Sequence, residues 1–158
     1  MTVQRPIGWT YGHVVNRLDL TGTTLFETVY SQPTLEPLHE HPHPYVAVLL
    51  RGTYRETYRR GEAHFIPFTA VFHPANVQHS CALNERGRQF FTLELETSWM
   101  NSMHIGVRAN SVFDWHGETI LWHMLRLFRE FRDSETRFSL TIESLILEIL
   151  ARSVASAK

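Results

Sequence analysis

Up to about residue 115 the chain is a run of short segments, alternating in polarity or rich in β-branched and aromatic residues, each closed by Gly, Pro or Asn. The segments 11–18, 24–31, 45–50, 53–59, 70–72, 77–83 and 89–96 read as strands. Strands this short and this regularly punctuated predict a sandwich or a closed antiparallel barrel, because closure removes the exposed edges an open sheet must protect. The tight link Arg51-Gly52-Thr53 reads as a hairpin between two of them.

After residue 115 the period changes. From Glu118 onward, Ile120, Leu121, Met124, Leu125, Phe128 and Phe131 recur at helical spacing, with Arg126, Arg129, Glu130 and Arg132 on the other side. A polar break follows at Asp133-Ser134-Glu135-Thr136. Leu140, Leu145, Ile146, Ile149 and Leu150 then predict a second helix ending near Val154. Ile142 and Leu147 widen its apolar arc, so it must be covered on two sides, by the barrel and by either the first helix or a second subunit. With 158 residues and 43% hydrophobic content the chain suffices for one core: a barrel over 1–115 and a helical hairpin over 116–158, forming one unit.

Charge narrows the function. Fifteen basic and 16 acidic residues leave a net charge of -1, and no Lys/Arg block forms, so these residues carry no electrostatic footprint for nucleic acid. The single Cys81 excludes an internal disulfide framework, and the N-terminus has neither a basic nor an apolar leader region, which together point to the cytoplasm. The longest apolar stretches, such as Tyr45 to Leu50, have strand length, which argues against a membrane helix.

Six of the ten histidines lie between residues 39 and 79. His39 and His41, in His39-Glu40-His41-Pro42-His43-Pro44-Tyr45, fall on one face of a strand if it alternates, as neighbours able to share an ion. His79 offers a third imidazole after the turn at Pro74-Ala75-Asn76-Val77-Gln78. Three histidines suit a divalent transition metal (Zn, Ni, Cu or Fe) with open positions; the competing reading makes the same imidazoles hydrogen-bonding groups for an effector.

These residues resemble the two cupin motifs. His39, His41 and Gly52 stand where the first motif (G-x5-H-x-H-x3-E-x6-G) has its histidines and final glycine, and Pro74 and His79 match the second (G-x5-P-x-G-x2-H-x3-N). Tyr45 occupies the position of the metal-binding carboxylate, Pro33 and Phe68 replace the leading glycines, Asn76 the inner glycine and Leu83 the terminal asparagine. The stretches HPYVAVLLRGTYRETY and PFTAVFHPANVQHS, followed by RQFFTLELE, resemble the N-terminal domain of a group of AraC-type regulators over roughly residues 24 to 155. The resemblance implies a mainly β fold with C-terminal α: a cupin-type double-stranded β-helix (jelly-roll) barrel followed by a two-helix hairpin. It also implies that DNA is read by helix-turn-helix units, which these residues do not include, in either an excised sensing domain or a natural short relative.

Parity leaves the remaining residues open. In 53–59, Tyr54, Glu56 and Tyr58 share one face, and Thr53, Arg55, Thr57 and Arg59 the other. If the Tyr/Glu face points inward the cavity suits a small aromatic, amine or sugar-like effector; if the Arg/Thr face does, an anionic one. Tyr45 donates to a ligand or fills the strand. Cys81 reads as a buried thiol, with soft ligation the minor alternative. His43, His64 and His73 read as structural or surface groups, Glu94 and Glu96 as solvated outer-face carboxylates with a pocket role the minor alternative, and Trp9, Trp99, Trp115 and Trp122 as packing.

Two functions compete. One is a sensor without catalytic groups, binding a small-molecule effector at His39, His41, Tyr45, Tyr54, Glu56 and His79 and forming a homodimer through its C-terminal helices. The other is a small metal-dependent cupin enzyme, such as a dioxygenase, isomerase or epimerase, which needs the ion and usually the carboxylate.

Overall fold

The computed structural model describes residues 3–4, 6–84, 86–105, 113–114, 119–133 and 140–156. Its strands in chain order are β1 (Val3–Gln4), β2 (His13–Leu20), β3 (Thr23–Tyr30), β4 (Thr34–Glu40), β5 (Tyr45–Arg51), β6 (Tyr54–Tyr58), β7 (Gly61–Phe65), β8 (Thr69–His73), β9 (His79–Leu83), β10 (Arg88–Leu95) and β11 (Phe113–Asp114). The helices are α1 (Thr97–Ser102), α2 (Thr119–Arg132) and α3 (Leu140–Ser156). Glu118, Trp115 and the break at Ser134-Glu135-Thr136 lie outside the described residues.

The strands form two facing sheets, ordered β1-β4-β9-β6-β7 and β11-β8-β5-β10-β3-β2. Apart from the short parallel pair β1–β4, the pairings are antiparallel. This is a jelly roll, with a mainly β body and C-terminal helices as expected. The expected hairpin at Arg51-Gly52-Thr53 is not one. β5 pairs with β8 and β10, and β6 with β7 and β9, so the link carries the chain from one sheet to the other. Gly52 makes the corner at φ 84, with the buried Arg88 side chain packed against its Cα.

The central strands β5 and β8 of the six-stranded sheet are buried on both faces, which is why they read as near-continuous apolar runs. The sheet's outer face presents Leu25, Val46, Val48, Phe72, Phe91 and Leu93 to the helices. From α2 come Ile120, Leu121, Met124, Leu127 and Phe131, and from α3 Ile142, Leu145, Ile146, Ile149 and Leu150, into the same cluster. Phe91 sits 5.1 Å from the Phe128 ring and 5.2 Å from Phe131. Its inner face, with Phe26, Thr28, Tyr45, Ala47, Thr92 and Glu94, lines a cavity.

Besides the two-residue β1 and β11, two strands escape a reading by period, β4 and β7. In β4 the register against β9 runs Glu36↔Cys81 and then His39↔His79, so Pro37 and Leu38 together oppose one residue. This bulge puts Glu36 and His39, three residues apart, on the same inward face and leaves Pro37 and Leu38 exposed. Alternation fails there, and a proline inside the segment argues against a strand.

Candidate functional site

The cavity between the sheets measures about 90 Å³, several times the ~10–15 Å³ that one water centre occupies. Across the five-stranded sheet its wall is built in rungs. One carries His39, His79 and Tyr58, and the next Glu36, Cys81 and Glu56. The Tyr/Glu face of β6 therefore points inward, and Arg55, Thr57 and Arg59 face out. At the floor, Tyr54 stacks on Phe65 at 4.7 Å and meets the edge of Phe90 at 5.2 Å.

The three motif histidines converge. Ligand atoms of His39, His41 and His79 all lie within 4.8 Å of one another. His39 is the penultimate residue of β4, whereas His41 lies just past its end, so strand alternation is not what unites them. The backbone N–H of Asn76 donates to the His41 carbonyl at 2.7 Å, tying the turn before His79 to the segment after His39. Asn76 and Phe68, which stand where the cupin motif has glycines, both keep positive φ, at 60° and 64°. The backbone of the motif survives the loss of its glycines, because Asn tolerates the left-handed region and Phe68 accepts its strain.

Nδ1 of His39 lies 2.8 Å from the Pro37 carbonyl and Nδ1 of His79 lies 3.0 Å from that of Val77. A carbonyl only accepts, so each Nδ1 carries the proton and each Nε2 presents a lone pair inward. Burial holds the His79 pKa down to about 4, so the ring is neutral at pH 7. A backbone-anchored Nδ1–H is the arrangement that orients imidazoles on a metal. The residues fit a divalent ion: His39, His41 and His79 would hold it, and it would supply Lewis-acid polarisation of whatever bound beside it.

Beside them lies a carboxylate. Glu56 Oε1 is 3.4 Å from His79 Nε2, while Oε2 accepts from the Tyr58 hydroxyl at 2.6 Å and lies 3.3 Å from His73 Nε2. Burial pushes the Glu56 pKa up, but His73, His79 and the Tyr58 hydroxyl outweigh it and hold the group below its usual range. Tyr45 stacks on His73 at 4.5 Å, and its hydroxyl is 3.5 Å from His79 Nε2. Burial and the negative Glu56 push the Tyr45 pKa up, so it stays a phenol.

Three expectations are corrected. Of the two readings of His73, structural or surface, the surface one fails; it is 2% exposed and faces Glu56. Glu94 is not solvated on an outer face; it is 1% exposed, accepts from the Gly8 N–H, and is pushed by burial to a pKa of about 7. Its parity was legible, but the solvent side of the strand belongs to the helices. Trp122 is no packing residue, being 66% exposed. His43 stays out of the cavity, near Thr97, and His64 lies exposed beside Glu62. Cys81 is on the inward face as expected, and burial together with Glu56 and Glu36 pushes its thiol pKa up.

Sequence reasoning missed Glu36, which takes the Tyr30 hydroxyl at 2.7 Å, and the segment Trp9–Tyr11 that borders the cavity. A buried-face carboxylate beside a bulge leaves no periodic signal. Three buried atoms of cavity-lining residues, Thr28 Oγ1, His73 Nδ1 and Glu94 Oε1, have no hydrogen-bond partner among the described residues.

No family model and no curated protein sequence matches the chain. Among solved structures, ToxT from Vibrio cholerae aligns with 85% of this chain and 55% of its own at TM-score 0.62 and 8% identity. The likeness is one of fold.

The fold is a jelly roll of two facing sheets. A cupin superfamily protein from Desulfitobacterium hafniense aligns with 53% of this chain and 76% of its own (TM-score 0.47, 12% identity). Oxalate decarboxylase from Bacillus subtilis aligns with 51% and 23% (TM-score 0.42, 17% identity). This chain spans about a quarter of the decarboxylase and just over half of ToxT.

Proposed function

We propose that the chain is the small-molecule sensing and dimerisation part of an AraC-type transcription regulator acting in the cytoplasm. The observation that carries this reading is the double use of one sheet. Thr92 and Glu94 of β10 face the cavity, while Phe91, Leu93 and Leu95 of the same strand face the helices. A ligand that shifts the inner residues shifts the platform under α2 and α3, which is the coupling between sites that a sensor needs. The fold likeness to ToxT, an AraC-type regulator, supports it. In this reading DNA is contacted through helix-turn-helix units outside these 158 residues.

The cavity wall carries Glu36, Glu56 and Glu94 and, among the described residues, no Arg or Lys. Its polarity favours a neutral or cationic effector, a small aromatic, amine or sugar-like molecule, over an anion. Leu140 is 78% exposed and Leu147 44%, along one stripe of α3 facing away from the barrel, and this stripe supports a homodimer through the helices. No helix among the described residues is long and apolar enough to cross a membrane.

A panel of small aromatics, amines and sugars, read by thermal shift, tests the reading. A ligand at 100 times its Kd adds roughly 2.7 kcal/mol and, for a domain of this size, moves the midpoint by roughly 5–10 °C. The reading expects that shift, its reduction in Thr28→Val, and slowed hydrogen exchange in α2. A ligand that stabilises the barrel without touching α2 exchange, or no ligand at all, overturns it. The second reading, a metal-dependent cupin enzyme, is favoured by one observation, the Glu56 carboxylate beside His79.

A further inference from the structure

Of the three carboxylates on the cavity wall, two are engaged by neighbouring side chains. Glu36 accepts from the Tyr30 hydroxyl at 2.7 Å, and Glu56 has the Tyr58 hydroxyl and the His73 and His79 rings at its oxygens. Glu94 differs. Its Oε2 accepts from the Gly8 N–H, whereas Oε1 has no donor among the described residues, although the residue is only 1% exposed. We propose that Glu94 Oε1 anchors the ammonium group of a small organic amine held in the cavity, an assignment that names the effector class and rests on the sensor reading above.

Three observations carry the assignment. First, Glu94 is aimed inward. With Thr92 it lines the cavity, while Leu93 and Leu95, on the other face of β10, are buried in the cluster that holds the helices. Second, the charge has no cation in contact. No Arg or Lys lines the cavity among the described residues, and Arg17, which acts on Glu94 through space, hydrogen-bonds Asp19 instead. A buried carboxylate without a paired cation is costly to ionise, and a ligand that brings one removes that cost. A neutral donor would satisfy the oxygen but not the charge.

Third, the wall around Glu94 suits the hydrocarbon part of an amine. Tyr45 stands directly across the β5–β10 ladder from it, Phe26 lies diagonally, opposite Thr92 on β3, and Trp9 follows the glycine that holds Oε2. Aromatic surfaces of this kind cover an apolar body and attract an ammonium as well. A cavity of about 90 Å³ limits that body to a single ring or a short chain. The position also suits signalling, because an ion pair formed at Glu94 acts on the strand whose next residues, Leu93 and Leu95, support the helices.

Calorimetric titration of the full chain at pH 8, where Glu94 is ionised, tests it with butylamine and benzylamine, the matching alcohols, and butyrate and benzoate. Each amine is expected to bind about tenfold or more tighter than its alcohol, and the carboxylates not at all. Glu94→Gln is expected to lower amine affinity about tenfold or more and to leave alcohol affinity within about twofold. Melting checks that the variant folds. Should it not, crystals of the wild type soaked with benzylamine decide: an ammonium nitrogen within ~3 Å of Glu94 Oε1 is expected. Equal affinity for amine and alcohol, unchanged amine affinity in Glu94→Gln, an ammonium seated at Glu56, or no amine binding overturns the assignment. The sensor reading is scored separately by hydrogen exchange in α2. A sugar or alcohol that binds and slows that exchange keeps the sensor and sinks the amine, whereas an amine that binds at Glu94 without slowing it does the reverse.

Discussion

Glu56 and His79 are diagonal neighbours across the β6–β9 ladder, where Glu56 opposes Cys81 and Tyr58 opposes His79, and their Oε1 and Nε2 atoms lie 3.4 Å apart. The relationship exists only because β6 leaves the sheet of β5 at Gly52 and joins the facing one. A carboxylate 17 residues after His39 in sequence thereby reaches the histidine centre.

Gly52→Ala is expected to destabilise the fold. At φ 84 an added Cβ is strained and would come within 2.4 Å of Arg88 Cγ, part of a side chain with no exposure. A loss of about 1–3 kcal/mol in urea unfolding is expected; a change under a few tenths would contradict the corner geometry. Phe68→Gly goes the other way. Phe68 is half-exposed at φ 64, so relief of backbone strain exceeds what partial burial of the ring contributes, for a gain of about 0.5–1 kcal/mol.

Glu94 makes stability depend on pH. Its folded pKa, raised by burial to about 7, lies above the ordinary 4.5, so the folded state holds this proton more tightly than the unfolded chain. The contribution is present in full below the unfolded value and lost as pH rises through about 7, where burying the charge costs on the order of 3 kcal/mol. Glu94→Gln, which keeps an acceptor for the Gly8 N–H, is therefore expected to raise the melting midpoint at pH 8 and to leave it nearly unchanged at pH 4. Equal effects at the two pH values would show that Glu94 is not charged at a cost.

Phe91→Ala tests the platform between cavity and helices. Phe91 has no exposure and packs against Phe128 and Phe131, so truncation is expected to cost about 3–5 kcal/mol and to loosen α2 in hydrogen exchange. A cost below ~1 kcal/mol would mean the helices do not depend on this sheet.

The exposed stripe on α3 carries a prediction about assembly. Leu140→Glu/Leu147→Glu changes two outward leucines and leaves Ile142, Leu145, Ile146 and Ile149 in the core. Light scattering is expected to show a dimer for the wild type and a monomer for the variant, with melting little altered. A variant that stays dimeric would move the interface elsewhere.

The helices were legible in sequence because a single apolar stripe docks on a single surface: Ile120, Leu121, Met124 and Phe131 are all buried as their spacing predicts. Leu147 and Ile142 show where that legibility ends. Both widen the arc, yet Ile142 is 1% exposed and Leu147 44%, since only the partner surface decides which flank is covered. At the site, His39, His41 and His79 were legible from motif spacing, which survives because turns and ligands are local.

What the sequence determined by itself was local: β before α, the turn positions, the three histidines, and two alternative faces for 54–58. Tertiary structure decided the rest. It chose the Tyr54/Glu56/Tyr58 face, put Glu94 and His73 inside, hid Glu36 behind a bulge, and brought Glu56 to His79. The reason is physical. Periodicity records that a strand has two faces, but which face is inside follows from what covers the other, and a one-residue bulge or a change of sheet reverses the answer.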